Sequence, residues 1–271
     1  KNDYKNIQKT IKSILLQNFK DYEYILIDGK SNDGTLQKIN KFKKRIDLFI
    51  SKKDNGIYFA MNKGLKFANG RIIVFVNSGD LLTKNALKII EKKFKEDPKV
   101  DFVFGTVKRH YLTSTIIKHG YNPHRLKYNF DFATAHSTGF FIKSESQKKI
   151  GYFNTNYKCS ADYDFYYKAI VQKKLIGNFT KKKDLIGIVK SGGYSSKISF
   201  LEHLFEESKI RICNKQNVFF VIIIIFNALL KYILKKTNAN KINKNIRQEI
   251  NEKFEFEKKI ELKNWDNEVE I

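Results

Sequence analysis

The stretch RIIVFVNSGDLLT, residues 71–83, decides the fold of this chain. Its apolar run at 72–76 is typical of a strand that is buried on both faces. The run leads directly into the tetrapeptide NSGD, so the predicted strand ends in a glycine-containing turn that carries Asp80. A turn accounts for the asparagine and the glycine but does not require the acid. Asp80 is therefore a candidate functional residue.

Helical and extended patterns alternate around this stretch. The predicted helices are 4–15, 34–42, 56–68 and a helix capped by Thr83, and the predicted strands are 22–28, 46–51 and 72–76. This order predicts an α/β fold with a mixed, mainly parallel sheet flanked by helices. Because ligands of such sheets lie at the carboxyl ends of the strands, we expect Asp28 and Asp80 at the same edge.

Length and cysteine content narrow the class of protein. The 271 residues are enough for one substantial domain with an appendage. The two cysteines, Cys159 and Cys213, argue against a disulfide framework and suit a reducing compartment. The sequence starts at Lys1 without a hydrophobic signal segment, so we expect a cytoplasmic protein rather than a secreted one.

The formal net charge of +24 leaves two interpretations open. A basic face could serve nucleic acid, anionic lipid or phosphorylated substrates. The charge could equally be a bias of composition, because the lysines are scattered along the chain. The sequence contains no helix-turn-helix, RNA-recognition or zinc-finger motif, so we predict that nucleic acid is not a partner.

The character of the sequence changes after Phe200. We predict a first domain at 1–200 and a helical, basic C-terminal extension at 201–271. Within 218–234 the extension has a lysine-flanked apolar run that is shorter than the ~20 residues of a membrane-spanning helix. Such a segment suits the surface of an anionic membrane, and the alternative is a helix buried against the first domain.

Further acids stand at predicted strand ends and helix starts. Asp28 and Asp33 lie in IDGKSNDGT, which could hold a nucleoside and phosphate or could simply be a turn with a helix cap. Asp80 suits Mg²⁺ or Mn²⁺ bridging a diphosphate, since these ions use one or two carboxylates together with phosphate oxygens. Asp162 and Asp164 lie near a helix start, about 200° apart around its axis, so they should face different environments.

Four blocks of the sequence occur together in a known family. They are IDGKSNDGT, SKKDNGIYFAMNKGLKFANG, VNSGDLL and HSTGFFIKSESQKKIGYFNTNYKCSADYDF. Their order and spacing resemble the family 2 glycosyltransferases over roughly residues 5–195, and most closely the colanic-acid-type branch of bacterial surface-polysaccharide enzymes. The resemblance implies a GT-A fold, which is Rossmann-like and typical of nucleotide-diphospho-sugar transferases. It also implies a divalent ion (Mn²⁺ or Mg²⁺) and inversion at the anomeric carbon.

The resemblance further implies substrates and a location. The donor would be a nucleotide-sugar, expected to be a UDP-sugar, and the acceptor a hydroxyl group of a lipid-linked or saccharide molecule. The product would belong to a capsule, an O-antigen or an exopolysaccharide. The enzyme would be cytoplasmic and peripheral on the inner face of the bacterial plasma membrane, with the anionic membrane surface as a partner.

The resemblance implies roles for individual residues. Asp80 matches the last acid of the family's D-x-D motif, which is the metal ligand beneath the diphosphate. Asp162 matches the acid that serves as general base, and His136 matches a histidine on the acceptor side. The positions matched to the donor-nucleotide site are Asp28, Asp33, Gly56, Asn62, Gly64 and Asn77.

The sequence departs from the family pattern in three places. The first acid of D-x-D is replaced by Ser78, or by Asn77 if the motif is shifted by one, so we expect metal binding to rest on Asp80 alone. Ala161 stands where the family usually has a glutamate before the base. The family's opening strand, of the type ISIITVTYN, is absent, so we expect the sheet to lack a central strand. The competing hypotheses are a catalytically impaired remnant and a basic membrane-surface or nucleic-acid-binding protein.

Overall fold

The computed structural model of this protein describes residues 1–240 apart from 112–113, 129–132, 134–135 and 191–197. The predicted extension at 201–271 is therefore described as far as residue 240, and 241–271 lie outside the described residues.

The elements alternate between helix and strand, as the sequence pattern predicts. The α-helices are α1 (Ile7–Leu15), α2 (Thr35–Asn40), α3 (Ile57–Phe67), α4 (Ala86–Glu96), α5 (Pro123–Tyr128), α6 (Ser144–Ile150), α7 (Ala161–Tyr167), α8 (Phe200–Cys213) and α9 (Val218–Asn240). The strands are β1 (Ile25–Asp28), β2 (Leu48–Ser51), β3 (Ile72–Val74), β4 (Leu81–Leu82), β5 (Phe102–Phe104), β6 (Thr106–His110), β7 (Thr115–Lys118), β8 (Phe140–Lys143), β9 (Gly177–Phe179) and β10 (Leu185–Lys190). Short helical turns occur at Lys43–Arg45, Ser137–Gly139 and Lys168–Gln172.

The described strands form three sheets. Their orders are β1-β2, then β3-β8-β5-β9, and then β4-β10-β6-β7. The pairs β1/β2, β5/β9 and β6/β10 are parallel, whereas β3/β8, β5/β8, β4/β10 and β6/β7 are antiparallel. The predicted α/β class is confirmed, with mixed sheets flanked by helices.

Amphipathic helices build the core on one side of the sheets. Helix α1 buries Ile7, Ile11 and Ile14, which share one face at helical spacing. Helix α4 buries Ile90 and Phe94 in the same way. These faces pack with side chains of β1, β5 and β8 in one hydrophobic cluster. The helical periods of the sequence therefore place α1 and α4 correctly.

The stretch at 71–83 forms β3, but the strand is shorter and less buried than predicted. It ends at Val74, and within 72–76 only Ile73 is buried. The reason is that β3 is paired only with β8 among the described strands, while its other edge borders a cavity. Strand β1 is likewise paired only with β2, and its Ile25 and Ile27 line the same cavity. A slot thus lies between β1 and β3, and the lack of a central strand stays a prediction.

An aromatic cluster fixes helix α7 against the β5–β8 pair. The ring centroids of Phe140 and Tyr166 lie 4.7 Å apart, and those of Phe104 and Phe140 lie 5.1 Å apart. Phe153 and Phe165 stack at 4.7 Å on the same side. Such pairs add about 0.5–1.5 kcal/mol each to the stability gained from burial. The start of α7, which carries one of the candidate acids, is therefore held firmly beside the sheet.

Helices α8 and α9 pack against each other at the C-terminal end of the described chain. Helix α8 begins with a capping box formed by Ser199 and Glu202. The rings of Phe200 on α8 and Tyr232 on α9 stack with centroids 4.4 Å apart. Within the described part of the chain, no helix has the length and apolar character needed to cross a bilayer. The division into domains at residue 200 stays a prediction, and α8 starts at that point.

Candidate functional site

One cavity of about 1930 Å³ collects most of the candidate residues. It extends from the slot between β1 and β3 to the start of α7. The predicted site residues that line it are Gly56, Gly64, Asn77, Asp80, His136 and Asp162. Asp28, Asp33 and Asn62 are described by the structure but are not among the residues that line it.

Asp80 is held by the turn that follows β3. Its N–H donates to the carbonyl oxygen of Asn77 at 3.0 Å, and its own carbonyl accepts from the hydroxyl of Thr10 at 2.9 Å. Gly79 has a φ of 96°, in the left-handed region that favours glycine, which explains the glycine of the NSGD tetrapeptide. The Asp80 side chain is buried, and its Oδ2 accepts a hydrogen bond from Thr138 at 2.8 Å.

The carboxylate of Asp80 lies close to the charge of Arg109 and accepts a hydrogen bond from the backbone N–H of Lys190. Burial raises the pKa of Asp80 to about 7, while the hydrogen bond from Thr138 and the charge of Arg109 act in the opposite direction. The Nε2 atom of His136 lies 3.9 Å from Asp80 Oδ2. Burial and the charge of Arg109 lower the pKa of His136 to about 4, so this imidazole is neutral at pH 7. Arg109 and Lys190 both line the cavity, which makes this end suitable for an anion.

The residues around Asp80 fit a divalent ion that is bound together with a diphosphate. Asp80 lines the cavity, and Mg²⁺ or Mn²⁺ takes one or two carboxylates plus phosphate oxygens. Ser78, which replaces the first acid of the motif, donates its hydroxyl to Asp3 Oδ2 at 2.6 Å and so brings a second acid to this turn. Among the described residues there is no group of three or more His, Cys, Asp or Glu side chains that could hold a metal alone. The phosphate oxygens would therefore have to complete the coordination.

Asp162 also lines the cavity, from the first turn of α7. Its Oδ1 accepts hydrogen bonds from the Tyr58 hydroxyl at 3.1 Å and from the N–H of Tyr163 at 2.9 Å. Burial raises the pKa of Asp162, and these two hydrogen bonds act against that rise. A carboxylate with a raised pKa beside a cavity is suited to accept a proton.

Asp164 faces a different environment, as its position on the helix predicts. It is buried, and its Oδ2 lies 2.7 Å from Lys168 Nζ. Its Oδ1 accepts a hydrogen bond from Asn214 at 3.0 Å. Both oxygens are engaged within the fold, and Asp164 is not among the residues that line the cavity. The expected difference between Asp162 and Asp164 in surroundings is confirmed.

Asp28 and Asp33 hold the loop between β1 and α2. Asp28 accepts hydrogen bonds from the hydroxyls of Ser31 at 2.5 Å and Ser51 at 2.7 Å. Burial favours a higher pKa for Asp28, but these bonds outweigh it and keep the pKa below its ordinary value. Asp33 accepts from the Thr35 hydroxyl at 2.5 Å and from the Tyr4 N–H at 3.1 Å. The structure thus gives both acids partners inside the fold, and their role in nucleoside binding stays a prediction.

The candidates on α3 and at its start differ in what they contact. Asn62 exchanges two hydrogen bonds of 2.9 Å with the backbone of Phe153 and so ties α3 to the chain before α7. Gly56 precedes α3 with a φ of 139°, which favours glycine. A Cβ atom at Gly64 would lie 3.9 Å from Ile27, an ordinary contact. Asn77, on the turn after β3, donates to the Ser137 hydroxyl at 2.8 Å.

Sequence reasoning missed several residues that line the cavity. Tyr58 and Asp54 lie inside the second sequence block, so the motif itself carried their signal. Asp54 Oδ2 is buried and has no hydrogen-bond partner among the described residues, although Lys63 Nζ lies 3.7 Å away. Further cavity residues come from distant strands and from α8, where no local pattern marks them: Arg109, Lys190, His203 and Glu207.

The sequence matches the family profile described as Glycosyl transferase family 2 over residues 1–187. The chain belongs to this family. It is 28% identical over 173 residues to a PGL/p-HBAD biosynthesis glycosyltransferase of Mycobacterium bovis, a match that covers 62% of this chain and 65% of the relative. It is 38% identical over 106 residues to an uncharacterized glycosyltransferase of Rickettsia conorii, covering 38% of this chain and 17% of the relative. The chain thus spans less than two thirds of these curated relatives.

Solved structures of glycosyltransferases share the fold of this family 2 member. Staphylococcus aureus TarS 1–349 in complex with UDP-GlcNAc superposes with a TM-score of 0.63 at 18% identity, covering 90% of this chain and 74% of TarS. A mannosyltransferase of Pyrobaculum calidifontis in complex with GDP-Man and Mn²⁺ gives a TM-score of 0.60 at 15% identity, covering 92% and 80%. These likenesses confirm the predicted GT-A fold.

Proposed function

We propose that this protein transfers a sugar from a nucleotide-sugar donor, a UDP-sugar, to a hydroxyl group of an acceptor, with inversion at the anomeric carbon. The observation that carries the proposal is that two acids with different surroundings line one cavity, the buried Asp80 near Arg109 and Lys190, and the half-buried Asp162 beside Tyr58. Membership of the family and the GT-A fold support the reaction class.

The donor diphosphate is assigned to the Asp80 end. Arg109 and Lys190 compensate its negative charge, and Thr138 and the turn after β3 hold Asp80 in place. A divalent ion held by Asp80 would neutralise charge on the leaving diphosphate when it is bound. The predicted donor contacts from Asp28, Asp33 and Asn77 belong to this proposal.

The acceptor is assigned to the Asp162 end. In a single displacement, the acceptor hydroxyl attacks the anomeric carbon from the face opposite the nucleotide, and Asp162 takes the hydroxyl proton as the C–O bond forms. The hydrogen bond from Tyr58 orients Oδ1 of Asp162 for this step. The apolar and aromatic walls of the cavity reduce competition by water. His136 is proposed to lie between the two substrates, since it lines the cavity beside Asp80.

A ligand-binding experiment separates this function from nucleic-acid binding. We expect UDP with Mn²⁺ to raise the melting temperature of the protein by several degrees, because a ligand at about 100 times its Kd stabilises by about 2.7 kcal/mol. Duplex DNA at the same charge concentration should leave it unchanged. A shift with DNA and none with UDP–Mn²⁺ would contradict the proposal. Turnover of UDP-sugars then distinguishes an active enzyme from an impaired remnant.

We also propose that helices α8 and α9 place the enzyme on an anionic membrane, where a lipid-linked precursor of a surface polysaccharide would be the acceptor. Most large apolar side chains described on α9 are exposed, with Val221 and Ile224 as buried exceptions. The exposed ones on both helices are Leu201, Phe205, Ile212, Val218, Phe219, Phe220, Ile222, Ile223, Phe226, Leu230, Ile233 and Leu234. Such a face suits the interface of a bilayer, and the exposed Lys209, Lys215 and Lys231 suit anionic lipid.

Vesicle sedimentation tests the membrane proposal. We expect the protein to pellet with vesicles that contain phosphatidylglycerol and to remain in the supernatant with phosphatidylcholine alone. Replacing Phe219 and Phe226 by serine should abolish pelleting, because each buried aromatic side chain contributes about 1.5–3 kcal/mol. If wild type and variant both remain in the supernatant with phosphatidylglycerol vesicles at low salt, α9 does not bind membranes.

A further inference from the structure

Helix α8 contacts the segment of chain that leads into α7. The carboxylate of Glu206 on α8 accepts hydrogen bonds from three consecutive backbone N–H groups, those of Lys158 at 2.7 Å, Cys159 at 3.0 Å and Ser160 at 3.0 Å. The thiol of Cys159 donates to the same carboxylate at 3.0 Å. One side chain therefore satisfies the backbone donors just before a helix, where such groups lack partners within the helix.

The charge of Glu206 matches this set of donors. Burial favours a higher pKa for Glu206, but the hydrogen bonds from Cys159, Lys158 and Ser160 outweigh it and keep the pKa below its ordinary value. The carboxylate is therefore ionised at neutral pH and can accept from every donor in the set. Cys159 is correspondingly unreactive, since burial raises the pKa of its thiol to about 12.

The segment at 158–160 is also held from the opposite side. The hydroxyl of Tyr58 on α3 lies 2.9 Å from the carbonyl oxygen of Cys159 and 3.1 Å from Oδ1 of Asp162. Ser160 immediately precedes α7, and Asp162 is the second residue of that helix. Asp162 is thus positioned by a segment that lies between a tyrosine of α3 and a glutamate of α8.

We propose that Glu206 is a positioning residue for the reaction: by binding the backbone at 158–160, it sets the place and orientation of Asp162 relative to the acceptor. The proposal rests on the transfer reaction proposed above. In this proposal, α8, at the start of the C-terminal extension, contributes to the site by positioning Asp162. His203 and Glu207 of the same helix line the cavity, which is consistent with α8 forming its wall beside Asp162.

The variant Glu206→Gln tests the proposal. A glutamine can turn its Oε1 toward Cys159 and Ser160, but its Nε2 then faces the N–H of Lys158, so the segment must shift. We expect kcat for UDP release from UDP-glucose, UDP-galactose or UDP-GlcNAc, with water or octyl glucoside as acceptor, to fall by about 10- to 100-fold, because small displacements of a reacting group cost that much. The Kd for UDP–Mn²⁺ should stay within about twofold.

The control Glu202→Gln removes the same charge from the same helix. Its side chain takes part in the capping box with Ser199, where glutamine is also accepted, so turnover should remain within about twofold of wild type. Cys159→Ser should behave likewise, since its hydroxyl replaces the thiol as a donor. Turnover of folded Glu206→Gln at the wild-type level, or an equal loss of UDP affinity and turnover, would overturn the positioning role.

A second measurement keeps this inference separate from the proposed function. If the wild-type chain neither binds UDP nor releases it, the proposed function fails. The contact of Glu206 with residues 158–160 can then be tested in a Cys213→Ser chain, from the rate at which a thiol reagent labels Cys159. We expect Glu206→Gln to raise that rate at least about 10-fold, because the negative charge of Glu206 contributes to the raised pKa of the thiol and the shift of the segment exposes it. An unchanged labelling rate would show that Glu206 does not hold the segment.

Discussion

Two aspartates that line the cavity, Asp80 and Asp162, have opposite surroundings. Asp80 lies near Arg109 and Lys190, and the charge of Arg109 counteracts the effect of burial on its pKa. Asp162 lies beside Tyr58, and burial together with the negative charge of Asp162 raises the pKa of the neighbouring Glu207 to about 8. A carboxylate among cations suits the binding of a diphosphate, whereas one among tyrosines and a second carboxyl suits proton transfer. Surroundings, and not residue type, separate the two proposed roles.

The largest effect is expected from Asp162→Asn. Asparagine keeps the size and most of the hydrogen bonding of the side chain but cannot take the acceptor proton, so kcat should fall by at least about 100-fold. The measurement is UDP release under saturating donor. Wild-type turnover in this variant would show that Asp162 is not the base and that the proposed difference in role between Asp162 and Asp80 is wrong.

A smaller effect is expected from Tyr58→Phe, which tests the surroundings of Asp162. The lost hydrogen bond had lowered the pKa of Asp162, so the pKa should rise further above its ordinary value. Because the base must be ionised, the acidic limb of the profile of kcat/KM against pH should move to higher pH. On that limb, turnover should fall by about fivefold, since one hydrogen bond contributes about 1 kcal/mol. An unchanged acidic limb would show that Tyr58 does not act on the base.

The slot between β1 and β3 gives a third test, which concerns the donor end. Lys1 lines the cavity, so an N-terminal extension ISIITVTYN joins the chain near the slot. There it can pair with the open edges of β1 and β3. We expect the melting temperature to rise by at least about 4 °C and the Kd for UDP–Mn²⁺ to fall by about threefold, because β1 and β3 lead to Asp28 and Asp80.

An extension GSGSGSGSG serves as the control for added length. This polar, glycine-rich extension cannot fill an apolar slot, so both the melting temperature and the Kd should match those of the unextended chain. Identical results for the two extensions would mean that the slot does not accept a strand.

The smallest change in turnover is expected from Asp164→Asn. Its carboxylate pairs with Lys168 and Asn214 away from the cavity, so kcat should remain within about twofold. The melting temperature should fall by about 2–4 °C for each kcal/mol lost from this buried pair. A loss of turnover as large as that of Asp162→Asn, with UDP binding retained, would exchange the roles of the two acids.

The fold could be predicted where local pattern determines it. The apolar spacing of α1 and α4 and the four ordered blocks identify the elements and the family, and the structure agrees. The extent of β3 could not be predicted in this way. An apolar run indicates a preference for burial, but the extent of burial depends on which strand lies alongside. Strand β3 is less buried than its sequence predicts because one of its edges is open among the described strands.

The site was predictable in part for a similar reason. A motif locates an acid but not its partners. Asp28 and Asp33 therefore could not be distinguished from Asp80 by sequence, although both accept hydrogen bonds from hydroxyl groups of the fold and neither lines the cavity. Arg109 and Lys190 stand on β6 and β10, which pair across a long stretch of chain. Their approach to Asp80 follows from tertiary pairing and leaves no local signal.

The central claim is that Asp80 serves donor binding while Asp162 serves chemistry. Calorimetric titration of UDP in the presence of Mn²⁺ into Asp80→Asn, Asp162→Asn and wild type tests it most directly. We predict that Asp80→Asn weakens the Kd by at least about 10-fold, or about 1.4 kcal/mol, while Asp162→Asn stays within about twofold of wild type. Equal affinity in all three proteins, or a loss confined to Asp162→Asn, would contradict the account.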